Sequence, residues 1–169
     1  MVANTGTYLD SPFHRYEDGK DLSELELTSL ANLDGIVLRA KGEEQSAIDA
    51  SAFEGTEVKG KAVLIRTDWD KHWRTDQYFE GTHPFLTKEA AQFLADKGAA
   101  LVGIDSYNID DTADLTRPAH SILLGAGIPI VEHMRNLGGL QINGFKFFAV
   151  PVKVKRMGTF PVRAFAIAH

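Results

Sequence analysis

The stretch 87–105 constrains the fold most, because it predicts an amphipathic helix that leads directly into a buried strand. Thr87 is a suitable N-cap, Glu89 favours the first turn, and Gly98 marks the end. Apolar residues at helical spacing give the helix one face that packs on a sheet. Residues 99–105 are almost entirely apolar, which is typical of a strand covered on both faces. A helix followed by such a strand indicates an α/β unit.

Other segments predict a sheet with few helices. The predicted strands follow the turn Asp34-Gly35 and span 61–66, 128–132, 146–151 and 162–167, and short helices are predicted near 50–53 and over 118–124. The rest of the polar region 41–59 is predicted to be loop. The chain of 169 residues suffices for one core, so we expect a single α/β domain over residues 1–169 with a mixed sheet.

Charge and cysteine content exclude several classes of protein. The net charge of −5 argues against nucleic acid as a partner, and the basic run 153–156 is interpreted as a solvated strand face or loop. Because there is no cysteine, a metal would have to bind to His, Asp or Glu. No apolar stretch approaches the ~20 residues that span a bilayer, and the N-terminus does not resemble a signal peptide. We therefore expect a cytoplasmic protein with no membrane partner.

The N-terminal segment concentrates residues that can build a site. Asp10 and His14 flank the step Ser11-Pro12, and the proline biases Ser11 toward an extended conformation. A strand that ends in a fixed turn presents both side chains at one rim. Sites for metals or for proton transfer are often built in this way.

A histidine and a glutamate lie far downstream. His120 falls about 100° to one side of the buried face of its short helix, so we expect it at the edge of the core. Glu132 ends an apolar strand, where a bare carboxylate is costly if it is buried without a partner. From the residues alone, a histidine in the position of His120 is more often structural or at the surface, and a glutamate in the position of Glu132 is more often a surface residue at a strand end.

Residues 4–14 resemble the motif His-x-Gly-Thr-His-x-Asp-x-Pro-x-His of cyclase-family hydrolases, which include bacterial kynurenine formamidase-like enzymes. Asn4 and Tyr8 stand in place of the first two histidines. The similarity continues through 101–106, the twelve-residue spacing of His120 and Glu132, and 158–164, and so covers essentially the whole chain. The resemblance implies a swivelling β/β/α domain that lacks the family's usual N-terminal segment. It also implies a homo-oligomer, a dimer or tetramer.

The resemblance implies one divalent metal, zinc or manganese, held by Asp10, His120 and Glu132. Neither Asn4 nor Tyr8 replaces a histidine ligand, so a two-metal site is not expected. Three ligands with an open position suffice for a catalytic ion. The alternative is that the metal has been lost, and that Tyr8 and His14 act without it.

The same resemblance assigns further roles. His14 is expected to be the general base and then the acid, and Tyr8 to donate a hydrogen bond to the developing oxyanion. The expected substrate-binding residues are Asn4, Trp69, Trp73, Arg66 and His83. The two tryptophans either line a pocket or cover the edge of the core. Arg66 either binds a substrate carboxylate or forms a structural ion pair, and His83 either faces the site or lies at the surface.

The resemblance implies an enzyme that hydrolyses a C–N amide bond in a small, aromatic substrate, as an arylformamidase does, without an organic cofactor. One alternative is a lactone or cyclic-imide hydrolase or cyclase. Another is a metal-free, catalytically silent family member that binds a small ligand.

Overall fold

The computed structural model describes residues 2–40 and 46–168. These residues form ten strands and two α-helices, joined by loops and short 3₁₀ turns. The strands are β1 (Tyr8–Asp10), β2 (Leu33–Arg39), β3 (Ala47–Ile48), β4 (Ala62–Arg66), β5 (Phe85–Leu86), β6 (Leu101–Ile104), β7 (Ile130–Glu132), β8 (Phe145–Phe148), β9 (Thr159–Pro161) and β10 (Phe165–Ala168). The helices are α1 (Lys88–Asp96) and α2 (Pro118–Gly125).

Eight strands form one mixed sheet in the order β10-β8-β2-β4-β6-β7-β1-β9. The four central strands, β2, β4, β6 and β7, run parallel, and every pairing outside them is antiparallel. Strands β3 and β5 pair separately in a two-stranded parallel sheet. The predicted α/β class with a mixed sheet and few helices is confirmed.

Strand β4 shows why the central strands are apolar along their whole length. Val63 and Ile65 pack into one core cluster, which contains buried residues of α1 and α2. Ala62 and Leu64 pack into a second cluster on the other face, with residues from β1 and β8. Both faces of β4 are therefore covered. Burying an aliphatic side chain of this kind stabilises the fold by about 1.5–3 kcal/mol.

Both longer helices begin where the sequence predicts. The Thr87 side chain accepts a hydrogen bond from the backbone N–H of Ala90 and caps α1, and Ala90 and Leu94 are fully buried. Helix α2 starts at Pro118, a residue whose fixed φ suits the first helical position. The short helix near residue 50 is the 3₁₀ turn Ala50–Phe53.

The outer strands differ from their predicted bounds. Strand β8 ends three residues before the predicted limit at Pro151, and β10 begins three residues after the predicted start at Val162. Strand β9 was not predicted from periodicity, because three residues are too few for a period-two pattern. The prediction of loop before the short helix near residue 50 was wrong at Ala47–Ile48, which pairs with β5 as strand β3. Residues 41–45 of the predicted loop lie outside the described residues. Within the described ranges, no helix has the length and apolar character needed to cross a membrane.

Candidate active site

Strand register brings four polar side chains to one face of the sheet at the β7-β1-β9 edge. Tyr8 lies directly opposite Glu132 of β7, and Asp10 lies opposite Thr159 of β9. Tyr8 and Asp10 are two residues apart and therefore point to the same side of β1. Residues directly opposite in an antiparallel pair also share a face. Three short strands thus converge on one polar patch, in which Asp10 and Glu132 are essentially fully buried.

The turn after β1 places His14 beside this patch. Pro12–His14 forms a 3₁₀ turn, and the backbone N–H of Ser11 donates to the carbonyl of Gly158, 2.7 Å away. A Cβ atom at Gly158 would lie 2.3 Å from the backbone nitrogen of His14. Only glycine allows this close approach of the two chain segments. The predicted strand that ends in a fixed turn is therefore present.

The N-terminal end of α2 holds His120 in a fixed orientation. Asp110 accepts hydrogen bonds from the backbone N–H groups of Ala119 and His120, at 2.6 and 3.1 Å. The same carboxylate lies 2.6 Å from His120 Nδ1. His120 is fully buried, so its predicted position at the edge of the core was wrong. Because Asp110 draws the imidazole inward, the ring faces the strands rather than the rim.

A hydrogen-bonded chain determines which nitrogen of His14 carries the proton. The Thr159 hydroxyl donates to Asp10 Oδ1 and lies 2.6 Å from His14 Nδ1. A hydroxyl has one hydrogen, which is already used toward Asp10, so Nδ1–H must donate to Thr159. The other nitrogen, Nε2, is then left as a base. The His14 side chain is 29% exposed and lines the cavity described below.

Glu132 is held at both carboxylate oxygens. Its Oε1 accepts from the backbone N–H of Ile109 at 2.6 Å, and its Oε2 accepts from the Tyr8 hydroxyl. The Tyr8 hydroxyl was expected to donate a hydrogen bond to an oxyanion, but in the structure it already donates to Glu132. Burial raises the pKa of Tyr8 far above its usual range, and Glu132 adds to this effect, so Tyr8 stays protonated and remains a donor.

The pKa values of the two site histidines are shifted in opposite directions. Burial alone would lower the pKa of His120, but Glu132, Asp10 and Asp110 outweigh it and raise the pKa to about 9. Burial lowers the pKa of His14, which is therefore mostly neutral at pH 7. Burial raises the pKa of Glu132, although His120 opposes this. His14 is thus the histidine in the protonation state of a base, whereas His120, without a metal, holds a proton between carboxylates that a bound cation would displace.

The donor set fits one divalent cation. Asp10 Oδ2 is buried and has no hydrogen-bond partner among the described residues; it lies 3.5 Å from His120 Nε2. Glu132 Oε2 lies 3.8 Å from the same nitrogen. Ligands of zinc sit at about 2.0–2.2 Å, so both pairs are close enough to share one ion. Among the described residues, Asp10, His14 and His120 form the group whose ligand atoms all lie within 4.8 Å of one another. Glu132 is not in that group and approaches it through His120, so His14 and Glu132 are alternative third ligands.

Asp110 adds to this fit. A histidine ligand typically donates its second N–H to a carboxylate, which directs the other nitrogen at the metal. His120 Nδ1 meets Asp110 in this way, while its Nε2 faces Asp10 and Glu132. We call Asp10, Asp110, His120 and Glu132 the carboxylate cluster. A divalent cation would also balance its excess of buried negative charge.

An open cavity of about 690 Å³ borders this cluster at Asp110. Asn4, Tyr8 and His14 line it, together with Asp110 and Thr159. Phe13, Leu115 and Met157 give it apolar walls. The volume is that of a pocket for a small organic molecule.

The other expected substrate-binding residues do not line this cavity. Arg66 donates to Asp68 at 2.6 Å. This contact is the structural ion pair, one of the two alternatives that the sequence allowed. Trp69 borders a separate, smaller cavity. His83 is buried, with its Nε2 3.0 Å from the carbonyl of Asp110. Trp73 packs against His133, with ring centroids 5.9 Å apart.

Trp73 belongs to a second group of rings, which we call the aromatic cluster. Its members meet edge to face or tilted, with centroid distances of 5.0–5.9 Å; they are Trp73, Tyr78, His83, Tyr107 and His133. The cluster contacts the site through Tyr8, whose ring lies 5.2 Å from that of His133, and through His83, whose Nε2 lies 3.0 Å from the carbonyl of Asp110.

Sequence reasoning missed four residues at the site. Asp110 orients His120, Thr159 joins Asp10 to His14, and Arg117 and Arg156 line the cavity. Thr159 lies in the segment 158–164, which resembles the family, and Arg117 immediately precedes the predicted helix 118–124. The sequence around each of these two residues therefore offered a reason to consider it. The run 153–156 is a loop, as predicted, but Arg156 at its end reaches the cavity.

A neutral histidine and buried carboxylates beside an open cavity are groups that metal-assisted hydrolysis can use. A family model described as "Putative cyclase" matches residues 1–111, about two thirds of the chain. The chain is 31% identical, over 97% of its length and 76% of the relative's, to a kynurenine formamidase of Bacillus cytotoxicus. The chain therefore belongs to the cyclase family.

Solved structures give the same result. An isatin hydrolase bound to the product analogue thioisatinate superposes with a TM-score of 0.84 at 25% identity, covering 95% of this chain and 70% of that one. A protein described as a potential metal-dependent hydrolase with cyclase activity gives a TM-score of 0.84 at 27% identity, covering 97% and 78%. The family expected from the N-terminal motif is thus confirmed.

Proposed function

We propose that this protein hydrolyses a C–N amide bond of a small aromatic substrate with the help of one divalent cation, zinc or manganese. The observation that carries the proposal is the chain Asp10–Thr159–His14, which leaves the His14 Nε2 as a base beside the buried carboxylates. The similarity to a kynurenine formamidase supports a linear aryl amide as the substrate. With an N-formyl arylamine, water and the amide would give formate and the free arylamine.

Asp10, His120 and Glu132 are proposed to hold the ion. When bound, the ion supplies Lewis acidity toward a carbonyl oxygen and lowers the pKa of water toward ~7. Glu132 is preferred to His14 as the third ligand because His14 Nε2 then stays free to move a proton, while its Nδ1 is held by Thr159. Glu132 Oε2 can accept from Tyr8 and still bind a metal, since a carboxylate oxygen has two lone pairs.

His14 is proposed to move the proton. Its Nε2 takes a proton from water as the C–O bond forms, and returns it to the nitrogen of the leaving amine as the C–N bond breaks. Such transfer contributes roughly 10²–10⁴-fold to rate. Tyr8 is proposed to hold Glu132 in place, rather than to donate to the oxyanion, and Asn4 to contact the substrate at the cavity wall.

The test combines metal content with turnover. Purified protein is loaded with zinc or manganese, dialysed, and analysed for metal per chain, and hydrolysis of formanilide is followed by release of aniline. We expect about one ion per chain and turnover that a chelator abolishes. Glu132→Gln should lose the ion, whereas His14→Ala should keep the ion and lose turnover. Retention of the ion in Glu132→Gln with its loss in His14→Ala would reverse the two roles.

A second candidate is the opening of a cyclic amide, which the similarity to an isatin hydrolase favours. Isatin is assayed in parallel with formanilide. Turnover of isatin alone would select this candidate. Absence of turnover of both substrates by the metal-loaded protein would leave the silent, ligand-binding alternative as the better description.

A further inference from the structure

The geometry points to an anion-binding subsite in the cavity, formed by Arg117 and Arg156, that takes a carboxylate substituent of the substrate. The inference rests on the proposed function and specifies its substrate class. Arg117 lies in the loop before α2, and Arg156 lies in the loop between β8 and β9. Both line the cavity that borders the carboxylate cluster, so a single ligand can contact them together.

Neither guanidinium has a carboxylate partner within the described ranges of the chain. Arg117 instead places one terminal nitrogen 2.8 Å from His120 Nε2 and 3.2 Å from His120 Nδ1. The two nitrogens of an imidazole point in different directions, so an atom this close to both lies over the face of the ring. The guanidinium is therefore held beside the reacting centre, without an anion.

The carboxylates that line the cavity are already used by the protein. Asp110 accepts from the start of α2 and from His120. Asp111 accepts from the backbone N–H of Ala113 at 2.9 Å, and Asp114 accepts from both the N–H and the hydroxyl of Thr116. These carboxylates are tied to local turns, whereas the two guanidinium groups remain available. A ligand carboxylate suits them, because a guanidinium binds it through two parallel hydrogen bonds.

The backbone also holds both arginines in unusual conformations. Arg117 has a φ of 51° and Arg156 a φ of 56°, in the left-handed region that residues other than Gly, Asn and Asp seldom adopt. Backbone strain of this kind concentrates at functional sites. At Arg156 it is maintained by a hydrogen bond of 2.6 Å from the backbone N–H to Asp21 Oδ2. The loop is thus fixed by its backbone at a residue that is exposed and lines the cavity.

The apolar walls define the rest of the ligand. Phe13 and Met157 line the cavity near the two arginines, and Leu115 at its rim is 87% exposed. An exposed leucine beside unpaired guanidinium groups suits a ligand with an aromatic ring and an anionic group. We therefore assign the subsite to aryl amides that carry a carboxylate, the ring against the apolar wall and the carboxylate toward Arg117 and Arg156.

The experiment compares two substrates of the same shape, 2-formamidobenzoate and the uncharged 2-formamidobenzamide, on the metal-loaded protein. The readout is the ratio of their kcat/KM values. Hydrogen bonds between charged groups predict a ratio of roughly 10- to 150-fold in favour of the carboxylate. Arg156→Gln and Arg117→Gln should each lower this ratio several-fold, with partial recovery in Arg156→Lys. The control Arg163→Gln changes an exposed arginine that does not line the cavity and should keep the ratio.

A second measurement separates this inference from the proposed function. Binding of anthranilate, with aniline as the uncharged control, is measured by calorimetry on the wild type and on both glutamine variants. If neither formamide is hydrolysed, the proposed function fails, yet weaker anthranilate binding in Arg156→Gln and Arg117→Gln still supports the subsite. A substrate ratio near one, or anthranilate binding that is equal in all variants, would overturn the subsite even if both formamides are hydrolysed.

Discussion

The carboxylate cluster and the aromatic cluster each bury a histidine near the end of β7, yet they place it in opposite states. Three carboxylates outweigh burial at His120 and raise its pKa to about 9. At His133 burial dominates, and the pKa falls to about 4. His133 lies among rings, with its Nδ1 3.1 Å from the Tyr78 hydroxyl. The difference teaches that neighbouring charges, rather than burial alone, decide whether a buried histidine is protonated.

The largest effect is expected for Asp10→Asn in the carboxylate cluster. The change removes the negative charge that faces His120 and disturbs the acceptor of the Thr159 hydroxyl. Both metal binding and the hydrogen bonds that link Asp10 to His14 are therefore weakened. We expect kcat/KM for an N-formyl arylamine to fall at least about 100-fold, with metal content falling in parallel. Asp18→Asn, at an exposed position, is the matched control. Full activity of Asp10→Asn would remove this cluster from the mechanism.

Tyr8→Phe tests the residue that lies between the two clusters, since Tyr8 contacts Glu132 on one side and His133 on the other. It keeps the ring beside His133 but leaves Glu132 Oε2 without its donor. An unsatisfied buried acceptor costs about 1–3 kcal/mol, so the free energy of unfolding in urea should fall by that amount. Tyr16→Phe, which removes a hydroxyl whose hydrogen bond to the Ser121 carbonyl is at the surface, should cost less. Equal losses in the two variants would show that the Tyr8 hydroxyl has no special structural role.

Trp73→Leu tests whether the aromatic cluster touches the substrate. Trp73 packs on Tyr78 and His133 and does not line the cavity. We expect KM for an aryl formamide to change by less than about threefold, although stability falls by roughly 1–3 kcal/mol because aromatic packing is lost. Phe13→Leu, in the cavity wall, is the comparison and should raise KM more. A larger KM change in Trp73→Leu would restore the tryptophan to the substrate site.

The smallest effect is expected from the titration of His83. Burial lowers its pKa below the ordinary value near 6.5, so the folded state favours the neutral ring. That stability is fully present above about pH 6.5 and is lost as the pH falls below it. In His83→Gln the fall of Tm between pH 7 and 5 should therefore be shallower; each kcal/mol corresponds to about 2–4 °C in a chain of this size. An identical Tm profile would show that His83 does not contribute to the acid sensitivity.

The sequence predicts the fold better than it predicts the walls of the site. Long apolar runs such as β4 and the capped helix α1 carry their signal locally, so their positions are confirmed. Asp10, His120 and Glu132 were identified through spacing and resemblance, and the structure brings them together. Arg156 was missed because it enters the cavity from a charged loop, and no local pattern distinguishes it from a solvated residue. Trp73 was expected in the pocket because aromatic residues in a polar loop can line a cavity or cover a core edge, and only packing decides between the two.

The strand order also affects how a newly made chain acquires its site. Strand β1 is the first strand in the chain, but both of its partners, β7 and β9, come late. Asp10 and Thr159 are separated by 149 residues, which ribosomes add in roughly 7–30 s at the usual rate of about 5–20 residues per second. Until β7 has been made, β1 lacks both of its partner strands, and Leu9, which is buried in the folded sheet, stays exposed in the nascent chain. The site is completed only when β9 arrives, so partly synthesised chains lack the groups needed for turnover.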